Sequence, residues 1–305
     1  VEVAEPDERD RISSQGWAFG YLGGGLLLAV NLAIVTVKPF GLSTEMAVRI
    51  SLLSAAIWWA YFTFIPYRGI KDRAPRARTV EDGAHEEGVT LLQRSFGQLF
   101  RTLRELKNYP QTLLFLVAYL FYNDGIQTVI YSASVYGDKQ LGFGTSILIA
   151  TILIVQFVAF GGALIFGRLA ARIGSHRTIL GGLVVWIFVV CFGFFLPEKQ
   201  IAPFLLLAVA IGLVLGGTQA LSRSFFSQLI PRGREAEYFS LYQACERGTS
   251  WMGTLVFGIV HQVTDSYRPA ILALIAFFVV GGLLLWKLDP KKGIIEAGNQ
   301  PPALI

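Results

Sequence analysis

One carboxylate lies where a carboxylate is expensive. Asp124 falls inside an apolar stretch, in the run Tyr122-Asn123-Asp124-Gly125-Ile126-Gln127-Thr128. A charged acid at the centre of a bilayer costs about 2.5–3.5 kcal/mol by insertion measurements. It can stay there by facing a wet cavity, by pairing with a cation or by taking up a proton, and the last is what a proton-coupling group must do. On a helix Asp124, Thr128 and Tyr131 share one face, with Gln127 beside them, so polar groups converge. The plainer reading is a structural hydrogen bond to a neighbouring helix.

A second group of polar residues interrupts a later apolar stretch. Gln243, Arg247 and Ser250 follow i, i+4, i+7 and would line one helix face, with Glu246 adjoining. Arg247 could hold an anionic group or pair with Asp124, whereas Glu246 could satisfy it locally. A helix starting near Glu235 would place both about 16 Å in, at 1.5 Å per residue. Gln219 is a further candidate for a polar cavity. Arg223 shares its face and is expected to mark the membrane interface by snorkelling.

These groups need long apolar helices to hold them. The chain has 305 residues, 53% of them apolar and 15% charged. A hydrocarbon core of ~30 Å takes about 20 apolar residues as helix. Residues 16–37, 50–67, 112–136, 146–167, 178–196, 201–222, 238–263 and 269–286 meet or approach that length. Eight such segments exceed what a water-soluble domain can bury, so the fold class is all-α, a polytopic transmembrane bundle. Placing residues 168–177 inside puts 20 Lys and Arg on that side; the other holds five, Lys38, Arg49, Lys139, Lys199 and Arg268. That asymmetry makes both termini cytoplasmic and the net charge topological, with no nucleic-acid partner implied. Cys191, Cys245 and the three histidines have no metal-ligand spacing, and no metal or other cofactor is expected. No Asn-x-Ser/Thr acceptor occurs, which points to a bacterial inner membrane.

The organisation is two spans, a polar link, then six spans. Residues 1–67 are expected to hold two helices of a first bundle, 68–110 a cytoplasmic linker, 111–290 a six-helix bundle and 291–305 a tail. In the linker, Leu92, Phe96, Leu99, Phe100, Leu103 and Leu106 recur opposite Arg94, Arg101, Arg104 and Lys107, the pattern of an interfacial amphipathic helix. Gly16, Gly20 and Gly24 stand four apart, a stripe on which another helix can pack closely. Gly161 and Gly162 would supply the opposing surface.

Between two of the spans runs Gly167-Arg168-Leu169-Ala170-Ala171-Arg172-Ile173-Gly174-Ser175-His176-Arg177. Its glycines are expected to turn the chain at both ends of a short link, with Arg168, Arg172 and Arg177 at the inner interface. The spacing resembles the cytoplasmic loop of the major facilitator superfamily, with Ala171 where that family carries Asp. Gly20-Tyr21-Leu22-Gly23-Gly24-Gly25, Tyr122-Asn123-Asp124-Gly125, Gly217-Thr218-Gln219-Ala220-Leu221-Ser222-Arg223-Ser224 and the stretch from Ile230 to Phe239 are similar to its autophagy-related vacuolar effluxer-like branch. The resemblance implies two six-helix halves, of which this sequence would hold the last eight helices, and alternating access to a site between them. It also implies a gating loop at Gly167, Arg168, Arg172, Gly174 and Arg177, weakened by Ala171.

The expected function is secondary active transport of a small polar solute, amino-acid-like by resemblance to the fungal members, coupled to protons by a monomer in contact with membrane lipids. Asp124 is the candidate ion site and Arg247 the candidate charge partner. Asn123, Gln127, Thr128, Tyr131, Gln219, Gln243 and Glu246 complete the polar lining. The alternative is a sensor or scaffold that keeps the fold without transporting. An intramembrane enzyme would need a second catalytic acid, a Ser/His pair or a metal set in the spans.

Overall fold

A computed structural model describes residues 5–69, 97, 101–248 and 250–302. It is all-α, with no strand among the described residues. The helices are α1 (Arg9–Val37), α2 (Thr44–Gly69), α3 (Pro110–Lys139), α4 (Thr145–Ile173), α5 (Ser175–Phe194), α6 (Ile201–Gln228), α7 (Glu235–Arg247), α8 (Trp251–Thr264), α9 (Tyr267–Ala273), α10 (Ile275–Trp286) and α11 (Pro290–Glu296). Their boundaries follow local chemistry. Ser43 accepts the Met46 N–H at 3.2 Å ahead of α2, Pro110 occupies the first turn of α3, and Asp289 accepts the Lys292 N–H at 3.1 Å to start α11. Lys38 ends α1 in the left-handed region, returning its N–H to the Ile34 carbonyl.

Among the described residues seven helical segments are long and apolar enough to cross a membrane. Large apolar side chains stand outward on them, Phe19, Leu52, Phe188 and Leu206 each at least 60% exposed. Such a girdle is stable only in an apolar surround, so this is an integral membrane protein. The segment expected to run unbroken over residues 238–263 is the exception. It divides into α7 and α8, each far short of a bilayer's thickness.

Small residues decide how the remaining helices pack. α4 and α6 cross so closely that a Cβ on Gly162 would run into the Leu213 carbonyl, and one on Gly216 into that of Ala159. Gly212 would stand 3.0 Å from the Val155 carbonyl. Gly212 and Gly216 thus form the stripe that buries one helix backbone against another. α3 and α10 meet likewise at Gly281, against Tyr122. Aromatic stacking fills the rest: Trp186 on Phe278 with centroids 5.6 Å apart, and Tyr119 on Tyr242 at 4.3 Å.

α1 lies along α4 and across α6, and α2 packs on α1, where Ser54 donates to Asn31 at 2.8 Å. The glycine stripe of α1 does not meet Gly161 and Gly162 as expected. Gly24 and Gly25 pack on Gln156 and Phe157, Gly16 and Gly20 have open space beside them, and Gly161 has no neighbour within 4 Å.

The basic link also differs from expectation. α4 continues through Gly167 to Ile173 and α5 begins at Ser175, so the turn is made by Gly174 alone, at φ +89°. Gly167 instead lets α1 approach, a Cβ there standing 2.7 Å from that of Ser14. Of the amphipathic helix expected in the linker, Leu92, Arg94, Phe96, Leu99 and Phe100 lie outside the described residues. Residues 101–105 are helical, with Thr102 and Leu106 buried. Arg234 joins this stretch to the α6–α7 connection through Glu105 and Glu237. Burial pulls the Arg234 guanidinium down in pKa, and its hydrogen bonds to the two acids outweigh that and raise it. The expected tail folds back: Gly293 packs on Gln111, and Asn299 donates to the Gln228 and Ile230 carbonyls at 2.9 and 2.8 Å.

Candidate functional site

The break between α7 and α8 explains the buried acid. A discontinuous helix leaves carbonyls unpaired at one end and N–H groups at the other. Asn123 and Asp124, adjacent on α3, take one of each. Asn123 donates through Nδ2 to the Glu246 carbonyl at 3.1 Å, and Asp124 Oδ2 accepts the Gly253 N–H at 2.7 Å. Gly253 is the third residue of α8, so Asp124 caps that half-helix from across the interface, where its positive dipole end favours a carboxylate. Absence of a side chain at Gly253 is required, because a Cβ would clash with Thr128.

Asn123 also accepts from Gln219 Nε2 at 2.8 Å, and Tyr119 donates to Gln219 Oε1 at 3.4 Å. Tyr122 and Ser222 share a hydrogen bond of 2.7 Å. Asn123, Asp124, Thr128 and Gln219 are therefore brought together in a buried polar layer joining α3, α6, α7 and α8. The other expected members are not in it. Tyr131 is 65% exposed, Gln127 is half-buried, and Arg247 is exposed and forms no ion pair with Asp124. The helix break ends the face that Gln243, Arg247 and Ser250 would have shared; the Ser250 hydroxyl turns back to the Glu246 carbonyl at 3.2 Å. The acid is stabilised by a backbone N–H, a fourth solution beside the three that the residues alone suggested.

A separate cleft of about 500 Å³ opens between α1 and the paired α4 and α6, lined by Ser13, Gly16, Trp17, Gly20, Tyr21, Gln156 and Arg223. Gly16 and Gly20 hollow its wall, which is the use the structure makes of them. Arg223 lines the cleft and is exposed. Its guanidinium lies over the Phe239 ring of α7 at 5.3 Å. Glu246 is within Coulombic reach of Arg247 first, then of Arg223, and of Tyr21. Gln156 also borders an apolar cavity of about 180 Å³ between α3, α4, α5 and α6, with Ser132 and Thr151 among its walls. Trp17, Tyr21 and Gln156 were not singled out as site residues by sequence, and Arg223 was expected at the interface. The available signal was Gln156 inside an otherwise apolar run of α4 and Arg223 as the one charged residue of α6.

Toward the Gly174 end α1 is bonded to α6. Asp10 accepts a hydrogen bond from the Ser224 hydroxyl and lies within bonding reach of Ser175. Ser13 donates to the Ala220 carbonyl at 2.7 Å, and Arg9 to that of Ser227 at 3.0 Å. An acid of α1 thus reaches this turn. Arg168, Arg172 and Arg177 are exposed and form no ion pair among the described residues.

Residues 2–298 match the family described as Vacuole effluxer Atg22 like. The chain is 29% identical over 288 residues to the Uncharacterized MFS-type transporter YxiO of Bacillus subtilis, covering 93% of this chain and 64% of that protein. It is 29% identical over 304 residues to Autophagy-related protein 22-1 of Neosartorya fischeri, covering 94% and 49%. With Autophagy-related protein 22 of Cryptococcus neoformans it shares 26% over 303 residues, covering 94% and 54%. The chain thus spans about half to two-thirds of the length of these curated relatives.

Proposed function

Because the chain belongs to the Vacuole effluxer Atg22-like family, we propose that the intact protein is a secondary transporter moving a small, amino-acid-like solute by alternating access. The observation that carries this reading is the cleft between α1 and the α4–α6 pair, where Arg223, Gln156 and Ser13 stand in a largely apolar wall. A site between two packed bodies, joined at one end by Asp10, Ser13 and Arg9, is what alternation between two openings requires. The Gly174 end is assigned to the cytoplasm by its arginines.

Coupling to protons is part of the proposal, and it falls to one of two acids. Asp124 is engaged in capping α8, whereas Glu246 shares the surroundings of the cleft residues Tyr21 and Arg223. Glu246 is therefore assigned the coupling role. The test is flux of labelled amino acids in proteoliposomes holding the intact protein. Exchange is expected without a gradient, and accumulation only with an imposed pH gradient. Glu246→Gln should abolish accumulation and spare exchange. Accumulation that survives this substitution would remove Glu246 from the role; absence of any flux would remove transport of these solutes.

A further inference from the structure

From Val214 to Gln228 every side chain of α6 is buried except that of Arg223. Arg223 lies five residues before the helix end, roughly 7 Å inside at 1.5 Å per residue. A guanidinium that only marked the interface would extend past the end of its helix into water and headgroups. This one lines the cleft with its Cζ 5.3 Å from the Phe239 ring centre, and its N–H donors meet no acceptor among the described residues. An Arg with a rigid fork of unused donors, in a largely apolar cleft between helices, is arranged to receive an anion. Trp17 and Tyr21, rings 5.9 Å apart, form the facing wall, and Gln156 adds an amide deeper in. Among the described residues Arg223 is the one guanidinium lining this cleft, and its single positive charge matches a monoanionic carboxylate better than a phosphate dianion.

We propose that Arg223 is the anchor for a carboxylate group on the transported solute, held in the cleft between α1, α4 and α6. The assignment rests on the transport reading above and deepens it. Arg223 sets specificity by charge, and the groups around Trp17, Tyr21 and Gln156 receive the remainder of the solute.

The test is thermal unfolding of the intact protein in neutral detergent against three probes of one shape. These are L-leucine, 4-methylpentanoate (the same skeleton without its amine) and 3-methylbutylamine (without its carboxylate). The first two are expected to stabilise the protein by mass action and the third not to. Arg223→Gln should weaken half-saturation by both carboxylates at least tenfold. Arg223→Lys, which keeps the charge and loses the fork, should weaken it severalfold. Should Arg223→Gln not purify as a monodisperse species, Arg223→Lys alone decides, and unchanged half-saturation there overturns the anchor. The proposal also fails if neither carboxylate stabilises the wild type, if the amine suffices, or if added phosphatidylglycerol gives the Arg223-dependent shift instead. Flux in proteoliposomes is scored separately. Transport that keeps its carboxylate preference in Arg223→Gln sinks the anchor and leaves transport standing. Arg223-dependent binding with no flux of any probe sinks transport and leaves the anchor.

Discussion

At Asp124 a single carboxylate is stabilised by one backbone N–H rather than by a cation. Its partner, Gly253, belongs to the first turn of α8, and no other side chain bonds that N–H. Asp124→Ala is therefore expected to destabilise the protein by about 1–2 kcal/mol, the usual cost of losing a helix cap, read as a fall in midpoint in detergent. Asp124→Asn keeps an acceptor and should cost less than half as much. Equal losses for the two would mean that the charge, and not the hydrogen bond, stabilises the site. The intramembrane acid stood out in the sequence because its position was improbable. Its partner did not, because Gly253 looks like any glycine in an apolar helix until α3 is laid beside it. Arg223 shows the converse: its type and place suggested the interface, and only the path of α1 turned its surroundings into a cleft.

At the level of elements, glycines with the same spacing serve opposite ends. Gly212 and Gly216 bring two backbones together, whereas Gly16 and Gly20 leave a hollow. Gly216→Ala is expected to cost more than about 2 kcal/mol, because its methyl would collide with the Ala159 carbonyl and backbone cannot yield. Gly20→Ala should leave stability within about 1 kcal/mol, since Ala favours helix and nothing stands within 4 Å. Unfolding midpoints of the two variants side by side check this, and similar losses would refute the distinction. A four-residue spacing says that a helix has a small face and nothing about what lies opposite. The break between α7 and α8 was equally hidden: Gly248 is tolerated within helices, and the polar residues around it fitted one continuous face.

For the molecule as a whole, the side-chain contacts across the Gly174 end come from α1, while Arg168, Arg172 and Arg177 of the basic motif stand exposed. Asp10, Ser13 and Arg9 hold the last turns of α6, and Ser14 fills the space over Gly167. Removing Asp10 should shift the population toward opening at this end. With a cysteine introduced at Gly16, in a background lacking Cys191 and Cys245, Asp10→Ala is expected to speed labelling by a membrane-impermeant maleimide severalfold from the Gly174 side. An unchanged rate would show that these contacts do not control access.

By itself the sequence determined the all-α membrane class, the family, seven of the spans and the expense of Asp124. Each of these depends on composition and spacing along one chain, which hydropathy and helical periodicity express directly. Tertiary structure alone decided that α7 and α8 are separate, that Asn123 and Asp124 bracket their break, that Asp10 of α1 bonds Ser224 beside the Gly174 turn, and that Arg223 lines a cleft. Those are properties of pairs of helices, set by where small residues let backbones meet and by which unpaired backbone groups then need a partner. Neither is written in the period of a single helix.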